Sequence, residues 1–395
     1  MRILVLHNYY QHSGGEDTVV QQEYNELSKQ GHQVKIISEK NKKGLQGLLQ
    51  FALYPLNIII SKRLTNEIDL FNPDIIHVHN LHYGIGPFLI RKLKKKGYPI
   101  VMTLHNFRLI CPSATLFYNG SVHTESIKED FPWTAVKNKA LDHSLVKTFI
   151  TAYTYWIHKK INTWQLVDRY FTFSNFSKAI FNESSLGVDP NKFTVKPNFV
   201  NSTIASTEKV FRDYYIYIGR LSEEKGIIQL LEAISKTDYR IKIFGTGPLE
   251  KQVQDYADIN SNIEYLGFQN KEILQKEINS ANALIVPSVC YEGMPMTIIE
   301  AFAMGTPIIC SNIGILKQMV VPLYTGIQFD PYNRASIISA LDTWSNMDIH
   351  TKELISKNCI NEFQNKYTAK IYISLIEEVY QQLIKENEHN NYRSS

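Results

Sequence analysis

Glu292 and Glu300 lie in the stretch VPSVCYEGMPMTIIEAFAMGTPIIC, from Val286 to Cys310. The first falls in a loop; the second falls inside a predicted helix among Met, Ile, Phe and Ala, where a carboxylate needs hydrogen-bond donors to offset its burial. A ligand rich in hydroxyls supplies them. The start of the same helix, at Met294 to Met296, offers unpaired backbone N–H groups and the positive end of a helix dipole, which suit a phosphate. Pro295 is expected at the first helical position, and Gly305-Thr306-Pro307 stops the helix. The stretch reads as a seat for a ligand that is part sugar, part phosphate. For Glu300 alone, a solvated helix residue is the competing reading.

A second group of chemistry-bearing residues follows a predicted strand at Tyr215 to Ile218, in Gly219-Arg220-Leu221-Ser222-Glu223-Glu224-Lys225-Gly226. A basic pair on such a loop, Arg220 and Lys225, can hold a diphosphate through charge-assisted hydrogen bonds; a capped turn is the alternative. Near the N-terminus, Gly14-Gly15 precede a helix predicted from Glu16 to Gln30, so their N–H groups can approach a ligand at its start, or form only a flexible turn. His105 ends the strand Ile100 to Leu104, at the carboxyl edge where open α/β sheets bind ligands. His77 and His79 share one face of the strand Pro73 to His79, with His82 close by, so a metal site is one reading and structural or acceptor-lining histidines the other.

These residues need a framework of buried parallel strands alternating with helices. Arg2 to Leu6 is almost continuously apolar, as a strand covered on both faces should be, and predicted strands at Gln33 to Ser38, Asp168 to Phe173, Lys192 to Lys196, Arg240 to Phe244, Ile263 to Leu266 and Gly326 to Phe329 punctuate the chain. At 395 residues it exceeds one ordinary core. The boundaries read as an N-terminal domain over 1–198, a linker over 199–213, a C-terminal domain over 214–367, and a last amphipathic helix with a frayed tail over 368–395.

Charge divides unevenly. Residues 1–200 carry 24 Lys and Arg against 15 Asp and Glu, the remainder 18 against 23, giving +9 and −5. The first half is therefore expected to face something anionic, a bilayer surface or a phosphate-bearing acceptor. Positions 44 to 61 carry no charge, but Gln46, Gln50, Pro55 and Asn57 interrupt them. They read as a helix with Leu45, Leu48, Leu49, Ala52 and Leu53 on one face, lying at a bilayer interface between Lys40, Lys42, Lys43, Lys62 and Arg63, or else packed on its own domain. Cys111, Cys290, Cys310 and Cys359 are scattered without a C-x-x-C pair, which fits a reducing compartment, and the N-terminus shows no export signal, so a cytoplasmic location is expected. No nucleic-acid partner is expected.

Glu292-Gly293-Met294-Pro295 followed by Glu300 resembles the E-x7-E signature of glycosyltransferase family 4. Arg220 and Lys225 match its GR-x-x-x-x-KG pattern, and HNFRLICPSATLFYNG after Leu104 is similar to the HN-x-R-x-x-CP stretch of its polysaccharide enzymes, including those of bacterial surface and capsular polysaccharides. The resemblance covers nearly the whole chain. It implies an α/β GT-B fold, two Rossmann-like domains facing across a cleft with a C-terminal helix crossing back to the first, and a retaining transfer from a nucleotide-diphosphate sugar without a metal. It further implies that His105 lies at the reaction centre, Arg220 and Lys225 bind the diphosphate, and Glu292 accepts from a donor-sugar hydroxyl. Glu300 would accept from the ribose, Gly14 and Gly15 touch the donor, Phe268 borders the nucleobase, and Gly293, Met294 and Pro295 complete the donor seat. A lipid-linked glycan is the expected acceptor. The stretch GSVHTESIKED departs from relatives that carry a C-x-x-C-like element there, which leaves the acceptor class open. The rival chemistries are a glycoside hydrolase with Glu292 and Glu300 as acid and nucleophile about 5 Å apart, and a metal hydrolase built on His77, His79 and His82.

Overall fold

The computed structural model describes residues 1–11, 14–201, 209 and 211–394, with side chains up to 389. The chain divides into two compact units: unit 1 holds Met1–Asn119, His123–Asn198 and Ala369–Ser395, and unit 2 holds Gly120–Val122 and Phe199–Thr368. Most of the span read as a linker lies outside the described residues.

Unit 1 is built on a six-stranded sheet of β1 (Arg2–Tyr9), β2 (Gln33–Lys40), β3 (Ile75–Val78), β4 (Ile100–Thr103), β5 (Arg169–Thr172) and β6 (Phe193–Val195), in the order β2-β1-β3-β4-β5-β6. Every ladder is parallel. Ile3, Leu4, Val5 and Leu6 of β1 are fully buried because helices cover both faces. Helix α1 (Gly15–Lys29) buries Val19, Val20, Glu23 and Leu27, so one carboxylate falls within the apolar stripe at helical spacing. Helix α2 (Gly44–Ala52) buries only Gly47 and Gln50. Its leucines point to solvent, with Leu45 87% and Leu48 68% exposed, so the helix packs on its unit through Gly47 and Gln50 and not through its apolar face. Helix α3 (Leu145–Lys160) begins at Ser144, whose side chain accepts from Lys147 N.

Unit 2 carries β7 (Tyr215–Ile218), β8 (Ile241–Phe244), β9 (Ile263–Tyr265), β10 (Leu284–Val286), β11 (Ile308–Ser311) and β12 (Gly326–Phe329), in the order β9-β8-β7-β10-β11-β12, again all parallel. The order reverses between β7 and β10, which opens a crevice at their carboxyl ends. Helix α4 (Ile227–Ile234) follows β7, and helix α5 (Met296–Ala303) follows β10. Pro295 is the N-cap of α5, one position earlier than its composition suggested, with φ −65° and extended ψ 115°. Gly226 explains how the two loops at the crevice meet. Its φ is +67°, and a Cβ there would lie 1.9 Å from the Pro287 carbonyl oxygen. Val289 N donates to Glu224 O at 3.0 Å and ties the same loops together.

The chain ends in α6 (Ala369–Ser394), part of unit 1. Tyr372, Ile373, Ile376, Val379, Tyr380 and Leu383 form its buried stripe. The helix continues beyond Glu386, where fraying was expected, because ENEHNNYRS contains neither Gly nor Pro; Gln382 donates to Glu386 at 2.8 Å across one turn.

Gly226→Ala should destabilise unit 2 by about 2 kcal/mol or more, combining the left-handed backbone cost of a Cβ with a backbone clash. A fall of several degrees in Tm by calorimetry is the expected result; an unchanged Tm would show that the Lys225 loop is not constrained by Pro287.

Candidate active site

The crevice of unit 2 gathers the second group of sequence-selected residues. An open hollow is lined by Tyr217, Gly219, Lys225, Val286, Ser288, Glu292, Pro295 and Thr297 among others. Lys225 Nζ donates to both Glu292 carboxylate oxygens, at 2.6 and 2.8 Å, and Ser288 Oγ donates to Glu292 Oε1 at 2.5 Å. Burial works against the lysine charge, but Glu292 and its neighbours outweigh it and hold the ammonium above its ordinary range. Tyr217 OH, donating to Arg220 O at 2.9 Å, pins the start of the loop and leaves the Arg220 side chain exposed. Helix α5 has no side-chain cap; Ile298 N turns back to Pro295 O at 3.3 Å, and the N–H groups of Met296 and Thr297 are left for a ligand. Glu300 is half-buried, and burial raises its carboxyl above the usual range against the opposing charge of Lys271. Gly293 lies in the loop beside Glu292, Met294 is buried, and Phe268 is 79% exposed on the turn after β9. Ser288 gave no signal beyond its place in a small-residue loop.

In unit 1 the loops after β1, β3 and β4 hold the remaining candidates. Gly14 and Gly15 are exposed, and a Cβ on either would meet nothing within 4 Å, so the space beside them is open. Gly14 N is already committed, donating to Asp17 Oδ2 at 3.0 Å; of the two amides expected to meet a ligand, this one is used within the fold. Asp17 Oδ1 lies 2.7 Å from His7 Nε2. Beside them Glu16 accepts from Asn80 Nδ2 at 2.8 Å, and burial pushes its carboxyl up to about 8.

His105 is half-buried after β4, with Nε2 3.0 Å from His79 Nδ1. His79 Nε2 lies 3.1 Å, and His77 Nδ1 2.6 Å, from Glu23 Oε1. Lys196 Nζ reaches Glu23 Oε2 at 3.3 Å, and Tyr372 OH donates to the same oxygen. Burial alone would raise the Glu23 carboxyl, but His77, Lys196 and His79 outweigh it and hold it well below the usual range. Sequence reasoning missed Glu23, Lys196 and Tyr372; the one available signal was a glutamate spaced i+4 from Val19 and i−4 from Leu27.

The metal reading of His77, His79 and His82 finds no assembled trio. His82 turns away to Tyr54, its Nδ1 3.0 Å from the phenol oxygen, because it follows the strand rather than lying in it. Among the described residues, two other groups have ligand atoms within 4.8 Å of one another: Glu23, His77 and His79, and His7, Glu16 and Asp17. The first already encloses the Lys196 ammonium and the second is closed by the His7–Asp17 contact, so neither supports the metal-hydrolase chemistry.

Two family models match the chain: Glycosyltransferase Family 4 over residues 13–203 and Glycosyl transferases group 1 over residues 203–359. The chain belongs to the group 1 glycosyltransferases of family 4. The lipopolysaccharide 1,6-galactosyltransferase of Escherichia coli is 27% identical over 205 residues, covering 49% of this chain and 56% of that protein. The chain spans about half the length of the curated relatives it first matches. The sucrose-phosphate synthase of Thermosynechococcus elongatus shares the fold at TM-score 0.72 and 16% identity, over 98% of this chain and 99% of that one. Anabaena HepE, in a complex with UDP-glucose, does so at TM-score 0.65 and 14% identity, over 96% and 100%. Family membership leaves the hydrolase reading of Glu292 and Glu300 without support. All four cysteines are free and buried.

The buried histidines of unit 1 outnumber Glu16, whose raised carboxyl acts in the opposite sense, and so dominate its pH response. Burial lowers His79 from 6.5 to about 3 and His158 to about 4, and carries His82 and His105 well below their usual range. Depressed histidine pKa values give stability that is complete above the unfolded value of 6.5 and is lost as pH falls below it. By pH 5 His79 and His158 each remove about 2 kcal/mol. The urea midpoint followed by tryptophan fluorescence, with Trp133, Trp156 and Trp164 all in unit 1, should drop clearly between pH 7.5 and pH 5. Equal midpoints would contradict the neutral buried histidines.

Proposed function

We propose that this chain is a retaining glycosyltransferase that moves a sugar from a nucleoside-diphosphate sugar to a hydroxyl of a lipid-linked glycan during synthesis of a cell-surface polysaccharide. The observation that carries the proposal is the meeting of Lys225, Glu292, Ser288 and the uncapped start of α5 at the strand-order reversal of unit 2. Fixed positive groups there, with the exposed Arg220, suit a leaving diphosphate whose negative charge grows in the transition state. Glu292, with lone pairs left after Lys225 and Ser288, accepts from a hydroxyl of the donor sugar, and Glu300 accepts from the ribose. Gly293, Met294 and Pro295 shape the seat, and Phe268 borders the base. In unit 1, His105 contacts a sugar hydroxyl and the open space at Gly14 and Gly15 admits part of the donor.

The sugar C1–oxygen bond to the diphosphate breaks while the bond to the acceptor oxygen forms on the same face, and the acceptor proton leaves with the diphosphate. The charge already supplied by Arg220, Lys225 and the helix start is the reason to propose that no metal takes part. The UDP-glucose bound to HepE and the lipopolysaccharide role named for the Escherichia coli relative both support this reading.

Arg220→Ala should lower turnover of a nucleotide sugar on the order of 10²-fold through lost stabilisation of the leaving group, with activity persisting in chelator. Glu300→Gln should weaken nucleoside-diphosphate binding in calorimetry, because a neutral amide is a poorer acceptor for two ribose hydroxyls. Full activity in Arg220→Ala, or unchanged affinity in Glu300→Gln, would remove the corresponding assignment.

The lipid-linked acceptor implies work at the cytoplasmic leaflet, and the surface of unit 1 supports that. No described helix is long and apolar enough to cross a membrane. Leu45, Leu48 and Leu49 of α2, together with Ile58 and Ile59, are exposed beside Lys40, Lys42, Lys43 and Lys62. Arg63 belongs to the same run but is paired with Glu39. Helix α3 exposes Leu145, Val146, Phe149 and Tyr153, an aromatic and aliphatic face of the kind that inserts among lipid headgroups. Each free basic side chain adds roughly 1 kcal/mol near an anionic surface, so several suffice for reversible binding that salt weakens. Liposome co-sedimentation should require anionic lipid, fall as salt rises, and fall again in Leu45→Ser/Leu48→Ser. No binding at low salt would point to a soluble acceptor.

A further inference from the structure

The contacts around His105 fix which of its two ring nitrogens carries the proton. Glu23 is fully buried and is faced by the Lys196 ammonium at 3.3 Å, the His77 ring at 2.6 Å and the Tyr372 hydroxyl, so its carboxylate is ionised and can only accept. His79 Nε2, 3.1 Å from Glu23 Oε1, must therefore bear hydrogen; the opposite arrangement would set a bare nitrogen against a carboxylate oxygen. His79 is neutral in its buried position, so its Nδ1 is bare and accepts. Its partner at 3.0 Å, His105 Nε2, must then be the donor. Burial, with the charge of Lys196 nearby, holds the His105 ring well below its ordinary range, so it too is neutral and its remaining nitrogen, Nδ1, carries no proton; among the described residues Nδ1 has no hydrogen-bond partner.

We propose that Glu23 and His79 are positioning residues which lock His105 in the Nε2-protonated tautomer, so that Nδ1 accepts a hydrogen bond from a sugar hydroxyl and cannot donate one. The proposal rests on the reading of His105 as a sugar contact. It deepens that reading by giving the contact a direction. A sugar with a hydroxyl at that position supplies the donor; a deoxy or O-methyl sugar does not. The relay reaches the surface only at His105, because Glu23, Lys196 and His79 are all buried. The Thr103 hydroxyl, 2.7 Å from His77 Nε2, touches the network from outside the relay.

The test is long-range 1H–15N correlation of the imidazole rings in the full chain, labelled at its 12 histidines, with the His105 signals assigned by their loss in His105→Gln. The expected wild-type pattern at pH 7.5 is one protonated nitrogen at Nε2 and one bare nitrogen at Nδ1. His79→Gln should convert this to a mixture of both tautomers, and Glu23→Gln should do the same if it folds. Thr103→Val, which removes the hydrogen bond to His77 Nε2 and leaves Glu23, His79 and His105 in place, should leave the His105 pattern unchanged, separating the relay from general loosening of the core. A wild-type His105 protonated at Nδ1, or a pattern unmoved by His79→Gln, overturns the proposal. The sugar contact is read separately, as turnover of UDP-glucose by the wild type and by His105→Ala: a loss of tenfold or more is expected. Equal turnover overturns the contact while leaving the measured tautomer intact, so the two failures are distinguishable.

Discussion

Unit 1 is organised around one carboxylate that has no access to water. Removing an ion the size of a carboxylate from solvent costs several kcal/mol even after relaxation, and the cost is offset only if charge and hydrogen bonds surround it. Glu23 meets that condition with groups from three other places in the sequence: His77 of β3 with His79 just after it, Lys196 just after β6, and Tyr372 of α6. A hydrophobic side chain in the same stripe would pack as well. What the carboxylate adds is a demand that these segments arrive in one register, since a partner lost leaves a buried charge uncompensated, at about 3–5 kcal/mol.

Unit 2 uses the same kind of pair differently. Lys225 and Glu292 are close and bidentate, but their side chains keep 29% and 11% of their surface, and the hollow beside them is open. A lysine with a third hydrogen to give and a carboxylate with spare lone pairs can each bind a ligand group without breaking the contact between them. The pair holds the two loops at the strand-order reversal in place before anything binds, which lowers the ordering cost of binding.

Much of this was legible in the sequence. Apolar runs ending in glycine-rich loops located nearly every strand of both sheets, and Arg220, Lys225, Glu292 and Glu300 stood out because basic and acidic residues at strand ends have few structural reasons to be there. What escaped was of two kinds. Glu23 and Lys196 were hidden because a charged residue inside a helix, or at the end of a short strand, normally reaches solvent; only three-dimensional packing closes that route. The face of α2 was visible as amphipathic, yet periodicity alone does not say whether an apolar stripe looks inward or outward. The metal reading that grouped His82 with the strand histidines failed for a related reason. Nearness in sequence to His77 and His79 suggested convergence, but the chain leaves the strand after Val78 and carries His82 to Tyr54.

The position of Tyr372 and Tyr380 in the chain has a consequence for how the protein is made. Tyr372 donates to Glu23 and Tyr380 lies 2.6 Å from His77, so the first unit to emerge from the ribosome is the last to be completed. Until residue 380 has been synthesised, the Glu23 and Lys196 pair lacks its covering helix. Unit 2 draws almost all of its residues from one uninterrupted span, 199–368, and has no such wait. Domains usually fold in the order of synthesis; here the order of completion is reversed. A nascent chain stalled short of α6 would present an ionised, half-covered core, a state suited to chaperone capture and not to catalysis.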